Sequence, residues 1–213
     1  MEDLSDYRKS YDKSQLLETE IPNEPMLLFK QWFKEVEASK QILETNAMTV
    51  ASIGLDGFPK SRVVLLKSYD ADGFVFYTNY NSEKGKAIQA NPNVCVSFFW
   101  DKQERQVIIK GLASKISESQ SDNYFNSRPI GSQLGAVVSN QSEVIPSRKF
   151  LEAKLHDLEK NSENQPIQRP SNWGGFNVKP IEIEFWQGRP NRLHDRIRYK
   201  LENAIWTIER LSP

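Results

Sequence analysis

Apolar positions along this chain change their period twice. From residue 24 to 44, Met26, Leu27, Phe29, Trp32, Phe33, Val36 and Ile42 recur close to every 3.6 residues, which predicts a helix over 24–44 with Pro25 in its first turn. From residue 47 the texture is that of short strands, at 47–54, 61–68, 74–79, 94–100 and 106–116. Asp56-Gly57 and Asp72-Gly73 supply turns between them. Val63-Val64-Leu65-Leu66 is apolar at successive positions, the pattern of a strand buried on both faces. Helical patterns return at 84–89, at 118–127 (closed by Pro129) and at 148–161, the last amphipathic and densely charged. The C-terminal third predicts strands at 176–178, 181–187, 192–201 and 204–210, with a tight turn near 200–203. Residues 161–170 read as a polar surface connection, and residues 1–23 as a mobile arm without periodicity. Successive short strands without regular βα alternation predict one mainly β (α+β) domain over 1–213, an antiparallel barrel with peripheral helices.

Composition narrows the class. The 213 residues carry 28 Lys+Arg against 28 Asp+Glu, so any basic site is local and a nucleic-acid-binding barrel is disfavoured. No apolar run approaches the ~20 residues of a membrane helix, and the polar N-terminus has no signal-peptide core. A lone cysteine, Cys95, within Val94-Cys95-Val96, excludes an intrachain disulfide framework and reads as a small buried hydrophobe. These features predict a cytoplasmic protein. With two histidines, His156 and His194, and no H-E-x-x-H, a protein metal site is not expected. G-x-G-x-x-G, the P-loop and G-x-S-x-G are all missing.

The densest chemistry lies in Arg192-Leu193-His194-Asp195-Arg196. In an extended strand Arg192, His194 and Arg196 share one face, suited to phosphate or another electron-rich ligand. The same pattern would equally serve a solvated strand edge. Ser61–Lys67 brackets an apolar strand with cations, and 76–86 runs from a strand through a polar turn into a helix. There the backbone N–H groups and Lys84 suit an anion. Tyr124, Arg128 and Ser132 are four apart, but Pro129 and Gly131 favour a helix end and turn over one continuous helix.

Taken in order, the segments RVVLLK (62–67), FYTNYNSEKGK (76–86), RQV (105–107), YFNSRPIGSQLGAVVSNQS (124–142), WGG (173–175), EFWQGRPNRLHDR (184–196) and ERLSP (209–213) closely resemble the pyridoxine/pyridoxamine 5′-phosphate oxidase family. The resemblance implies an antiparallel, Greek-key-type split β-barrel flavoprotein, a homodimer with FMN at its subunit interface. FMN contacts would fall on Arg62, Val63, Leu65, Lys67, Tyr77, Thr78, Lys84, Gln106, Gln141, Ser142, Trp186 and Arg196. The substrate phosphate would be held by Lys67, Tyr124, Arg128 and Ser132. Arg192 and His194 would flank the reacting carbon as the catalytic pair, and Arg8 and Tyr11 would belong to a segment folding over the substrate.

The implied reaction oxidises pyridoxamine 5′-phosphate or pyridoxine 5′-phosphate to pyridoxal 5′-phosphate, a vitamin B6 step. FMN accepts the hydride, O2 reoxidises it to give H2O2, and the amine releases NH3. One departure from the family is Glu83, which precedes Lys84 where a basic residue is common. It is left out of the site because an acid beside a phosphate repels it unless it points away. A split-barrel flavin reductase needs no second phosphate pocket, and a non-catalytic pyridoxal 5′-phosphate or FMN binder needs no Arg192/His194 pair. Both are the less favoured alternatives.

Overall fold

The computed structural model describes residues 2–161 and 166–213, so four residues of the expected 161–170 connection lie outside the described residues. Two compact units divide the chain: Met1–Thr49, Cys95–Gly111 and Pro180–Pro213 form the first, and Val50–Val94 and Leu112–Lys179 the second. The dividing points fall inside strands. Among the described residues no helix is long and apolar enough to cross a membrane.

Helix α1 (Pro25–Ser39) opens the regular structure of the first unit, with Pro25 in its first turn as expected. It buries Leu28, Phe29, Trp32 and Val36, one face of a 3.6-residue period. Phe29 packs 5.2 Å from Phe98, and Trp32 meets Phe185 edge-on at 5.2 Å. The helix ends five residues short of the predicted 44. Lys40 turns left-handed (φ 56) and donates its N–H to Glu37, so Ile42 only mimics a continuing period.

Strands β1 (Ala47–Ile53), β2 (Pro59–Leu65), β3 (Ser68–Asp70) and β4 (Gly73–Asn79) precede α2 (Glu83–Ala90), then β5 (Asn93–Trp100) and β6 (Arg105–Lys115). Helices α3 (Glu118–Ser127), α4 (Ile130–Val138) and α5 (Arg148–Asn161) follow, then β7 (Trp173–Gln187), β8 (Asp195–Glu202) and β9 (Ile205–Arg210). Hydrogen bonding orders the strands β2-β1-β5-β6-β7-β4-β3, with β8 pairing β7 and β9. The β3–β4, β4–β7, β7–β8 and β8–β9 ladders are antiparallel, giving the predicted mainly β class. Asn203 and Ala204, both at positive φ, make the two-residue hairpin turn between β8 and β9.

Four expectations change. The strand predicted as buried on both faces, β2, ends the strand order, and Val63 is 71% exposed. Apolarity reports that a surface needs cover; it does not say that this chain supplies the cover. The two strands expected at 176–178 and 181–187 are one continuous β7. Its ladder with β4 stops at Val178 and its ladder with β8 starts at Glu182, so Pro180, which lacks an N–H, sits in the gap. Helix α4 was not expected, because Pro129 and Gly131 read as breakers. Pro129 instead caps a new helix directly after α3. Finally, β8 begins at Asp195, not at 192. Asn191 and Arg192 both adopt left-handed backbone, so the period-two face never includes Arg192 or His194.

In the second unit, Phe76 and Tyr80 pack on Phe176 at 5.8 and 5.2 Å. Gly73 (φ +139) lies where a Cβ would meet the Val178 carbonyl oxygen at 2.3 Å. Both the backbone angle and the space require glycine. Gly73→Ala is therefore expected to destabilise the protein by about 2 kcal/mol or more, seen as a lowered urea midpoint. A native midpoint would contradict this packing.

Candidate active site

The predicted site residues fall into two groups, one in each unit. In the second unit, β4 and α2 present Thr78 and Lys84 to the loop after α4. The Lys84 ammonium donates to Thr78 Oγ1 and, at 3.3 Å, to Gln141 Oε1, while Thr78 donates to Gln141 at 2.9 Å. Three predicted FMN contacts are thus knotted together. Ser82 caps α2 by accepting the Gly85 N–H, which fixes the turn that carries Lys84. Desolvation, reinforced by the Arg62 charge, pulls the Lys84 pKa down to about 8. Charged Lys84 is uncomfortable without an anion, and anion affinity there falls as pH rises through that value.

A cavity of about 470 Å³ lies beside this knot, lined in part by Arg62, Asn81, Lys86, Gln141 and Ser142. Glu83 lines it too and does not point away. It accepts from Lys60 at 2.5 Å and from Arg62 at 3.4 Å, and these cations hold its carboxyl below the usual range. Lys60 also pairs with Asp56 at 3.0 Å. The acid that sequence reasoning set aside is therefore already matched by two cations, one of them the predicted phosphate ligand Arg62. Val63 and Lys67 are exposed and Leu65 is half-buried; the Lys67 backbone is tied to Val75.

Further along the same unit, Tyr77 stacks on Tyr124 with ring centroids 3.8 Å apart and on Trp173 at 5.6 Å. Arg128, at the C-terminal cap of α3, lays its guanidinium 4.6 Å over Trp173. Its Nη1 is buried without a hydrogen-bond partner among the described residues, a costly state that a bound anion would relieve. Burial correspondingly pushes the Arg128 pKa down. Ser132 is exposed in the first turn of α4, so Tyr124, Arg128 and Ser132 are spread over a helix end and a helix start. Arg169, absent from the predicted set, donates to Asp122 at 2.6 Å, to Glu118 and to the Trp173 carbonyl at 2.5 Å, pinning α3 against the start of β7. The WGG motif pointed to this neighbourhood but not to that arginine.

In the first unit, Trp186 and His194 rings lie 4.7 Å apart, and Tyr11 packs 5.8 Å from each. Tyr7–Tyr11, Arg189, Asn191, Arg192 and His194 line a cavity of about 620 Å³ with no carboxylate in its wall. Arg8 and Arg192 both line it. His194 Nδ1 accepts the Arg189 backbone N–H at 3.1 Å, so that nitrogen carries the lone pair and Nε2 carries the proton. Burial and the neighbouring Arg192 charge lower the His194 pKa, with Asp195 opposing. Arg196, expected on the same face, forms a two-point pair with Glu184 at 2.7 and 3.2 Å and donates to the Ser212 carbonyl at 2.9 Å. Gln106 donates to Ser97 Oγ at 3.3 Å. The arm expected to be mobile is held from residue 12 onward: Arg189 donates to Ser14, and Arg210 to Glu18 and Leu16.

His194 is thus a neutral donor near pH 7. Because folding lowers its pKa, the ring's contribution to stability is present above the ordinary histidine range and fades as pH falls through that range. Its NMR titration midpoint is expected below the ordinary histidine value of about 6.5, and Arg192→Ala should raise it. A midpoint at or above that value in the native protein would contradict the geometry.

Residues 35–162 match the family model described as pyridoxamine 5′-phosphate oxidase, and residues 173–213 match a pyridoxine 5′-phosphate oxidase C-terminal dimerisation region. The chain is 68% identical over 213 residues, all of both chains, to the pyridoxine/pyridoxamine 5′-phosphate oxidase of Flavobacterium johnsoniae. It is 52% identical to that of a Nostoc species, across 99% of this chain and 98% of the relative. In three dimensions it resembles PhzG from Burkholderia lata 383, crystallised with tetrahydrophenazine-1-carboxylic acid. That likeness has a TM-score of 0.88 at 28% identity, covering 96% of this chain and 100% of PhzG. A pyridoxamine 5′-phosphate oxidase-related, FMN binding protein from Nostoc punctiforme shares the fold at a TM-score of 0.70, 15% identity and coverage of 89% and 97%. The chain belongs to the pyridoxamine 5′-phosphate oxidase family.

Proposed function

We propose that this protein is an FMN-dependent oxidase that converts pyridoxamine 5′-phosphate and pyridoxine 5′-phosphate to pyridoxal 5′-phosphate, releasing H2O2 and, from the amine, NH3. It would work as a cytoplasmic homodimer of single split-barrel domains. The observation that carries the reading is the buried, unpartnered Nη1 of Arg128 beside the Tyr77–Tyr124–Trp173 stack, a built place for one more anion. Relatives as similar as 68% bear the oxidase name.

The donor set fits FMN. Lys84, held at a pKa of about 8, with Arg62, Gln141 and Ser142, suits its phosphate monoester. Bound FMN supplies the two-electron acceptor for the substrate carbon and passes the electrons to O2. Arg128, with Tyr124, Ser132 and Lys67, anchors the substrate phosphate and so fixes where its reacting carbon lies. Arg192 covers the substrate ring, and His194 donates from Nε2 to orient it; with Nδ1 occupied by the Arg189 amide, it is not a base at that atom. Arg196, already balanced by Glu184, offers flavin its remaining N–H groups more than an unpaired charge. The exposed apolar side chains of β2, Val63 among them, are surface for the second subunit to cover. The matched dimerisation region supports that assembly.

Purified protein should be yellow, or become so with FMN. Anaerobic pyridoxamine 5′-phosphate should bleach the flavin band, and admitting air should restore it with release of H2O2. A preparation that FMN cannot colour, or a band that the substrate leaves unchanged, would overturn the assignment.

A further inference from the structure

Glu104 belongs to none of the groups above, yet it is among the most constrained residues in the first unit. It is 8% exposed and sits in left-handed backbone (φ 55, ψ 41), where glycine is the undemanding choice. A glutamate held there carries backbone strain that its side-chain bonds offset. Its carboxylate Oε2 accepts two successive backbone N–H groups from the N-terminal arm, Asp12 at 3.0 Å and Lys13 at 3.1 Å. Its main chain is fixed as well. The N–H donates to Asp101, and the carbonyl accepts from the Gly188 N–H at 2.7 Å and from the Gln187 side chain at 3.2 Å.

Gly188 completes the arrangement. A Cβ there would come within 2.8 Å of Tyr11 Cβ and Cγ, so Tyr11, the residue just before the two clamped amides, seats on bare backbone. From that seat its ring reaches Trp186 and His194, both at 5.8 Å. Downstream, Ser14 and Leu16 are held by Arg189 and Asp195, independently of Glu104. Upstream, residues 2–10 are exposed.

We propose that Glu104 is a positioning residue for the reaction: it clamps the arm at Asp12–Lys13 and thereby delivers Tyr11 through the Gly188 notch onto the wall formed by Trp186 and His194. This rests on the oxidase reading for its kinetic consequence, but not for the clamp itself. Two charge-assisted hydrogen bonds to consecutive amides fix both the position and the direction of the chain at that point. The segment carrying Arg8 then closes the cavity from a fixed hinge.

The test compares E104G, which keeps the left-handed turn and removes the carboxylate, with E104Q, which keeps an acceptor without the charge. In E104G, tryptic cleavage after Lys13, measured against cleavage after the exposed Lys9, should speed up about tenfold, because the local opening free energy falls. The KM for pyridoxamine 5′-phosphate should rise about tenfold with kcat within about threefold, because only positioning is lost. E104Q should fall between E104G and the native protein in both readouts. G188A, which evicts Tyr11 and leaves the clamp, should reproduce the KM rise without faster cleavage after Lys13. A folded E104G with native cleavage, or with faster cleavage and native KM, overturns the proposal. If E104G does not fold, a native KM in G188A overturns it. Should the native protein itself fail to turn over the substrate, the oxidase reading falls, while the cleavage ratio still decides the clamp.

Discussion

The first unit depends on one buried guanidinium. Arg105 is 9% exposed, lies 4.4 Å over the Trp32 ring, and donates to Glu35 at 2.5 Å and to Gln187 at 2.9 Å. A cation taken out of water is tolerable only when pairing and hydrogen bonds replace its hydration, and leaving it without them is costly. That penalty fixes α1, β6 and β7 at one point. Gln187, fully buried, passes the constraint on by donating to the carbonyls of Gln103 and Glu104. Gln106, Trp186 and Gly188 are sequence neighbours of this node, so residues of the proposed site take their places from one outside it.

The cations divide by what they touch. Arg196, Arg169 and Arg210 are held by carboxylates and are structural in the first instance. Arg192 makes no ion pair among the described residues, and Arg128 keeps a buried donor open. Charge without an internal partner is where the proposed charged ligand would do the pairing. Arg62 stands between these classes. Glu83 occupies it at 3.4 Å, close enough to hold the side chain and too long to saturate it.

The sequence carried the class of fold and most strands, because period-two alternation and Asp-Gly turns are local signals. It misjudged β2, whose Val63 looks like core but lies on the strand that ends the order, because an apolar run marks a need for cover and not where the cover comes from. The shared face of Arg192, His194 and Arg196 dissolved for a different reason. Left-handed Asn191 and Arg192 break the alternation, and Pro190-Asn191 is a turn signal that the strand reading passed over. The resemblance named Arg128 as a phosphate ligand, and the structure places a buried, unpaired donor there. Glu104 and Arg169 stayed invisible, since their partners lie about 90 and about 50 residues away in sequence.

The central claim is that a phosphate on the substrate, held by Arg128, sets the reaction geometry. The most direct measurement is the ratio of kcat/KM for pyridoxamine 5′-phosphate to that for pyridoxamine, in the native protein and in Arg128→Ala. The account predicts a preference for the phosphorylated substrate that collapses by about 100-fold in the variant, chiefly through KM, with FMN content retained. An unchanged ratio in a folded, flavin-loaded Arg128→Ala would contradict it.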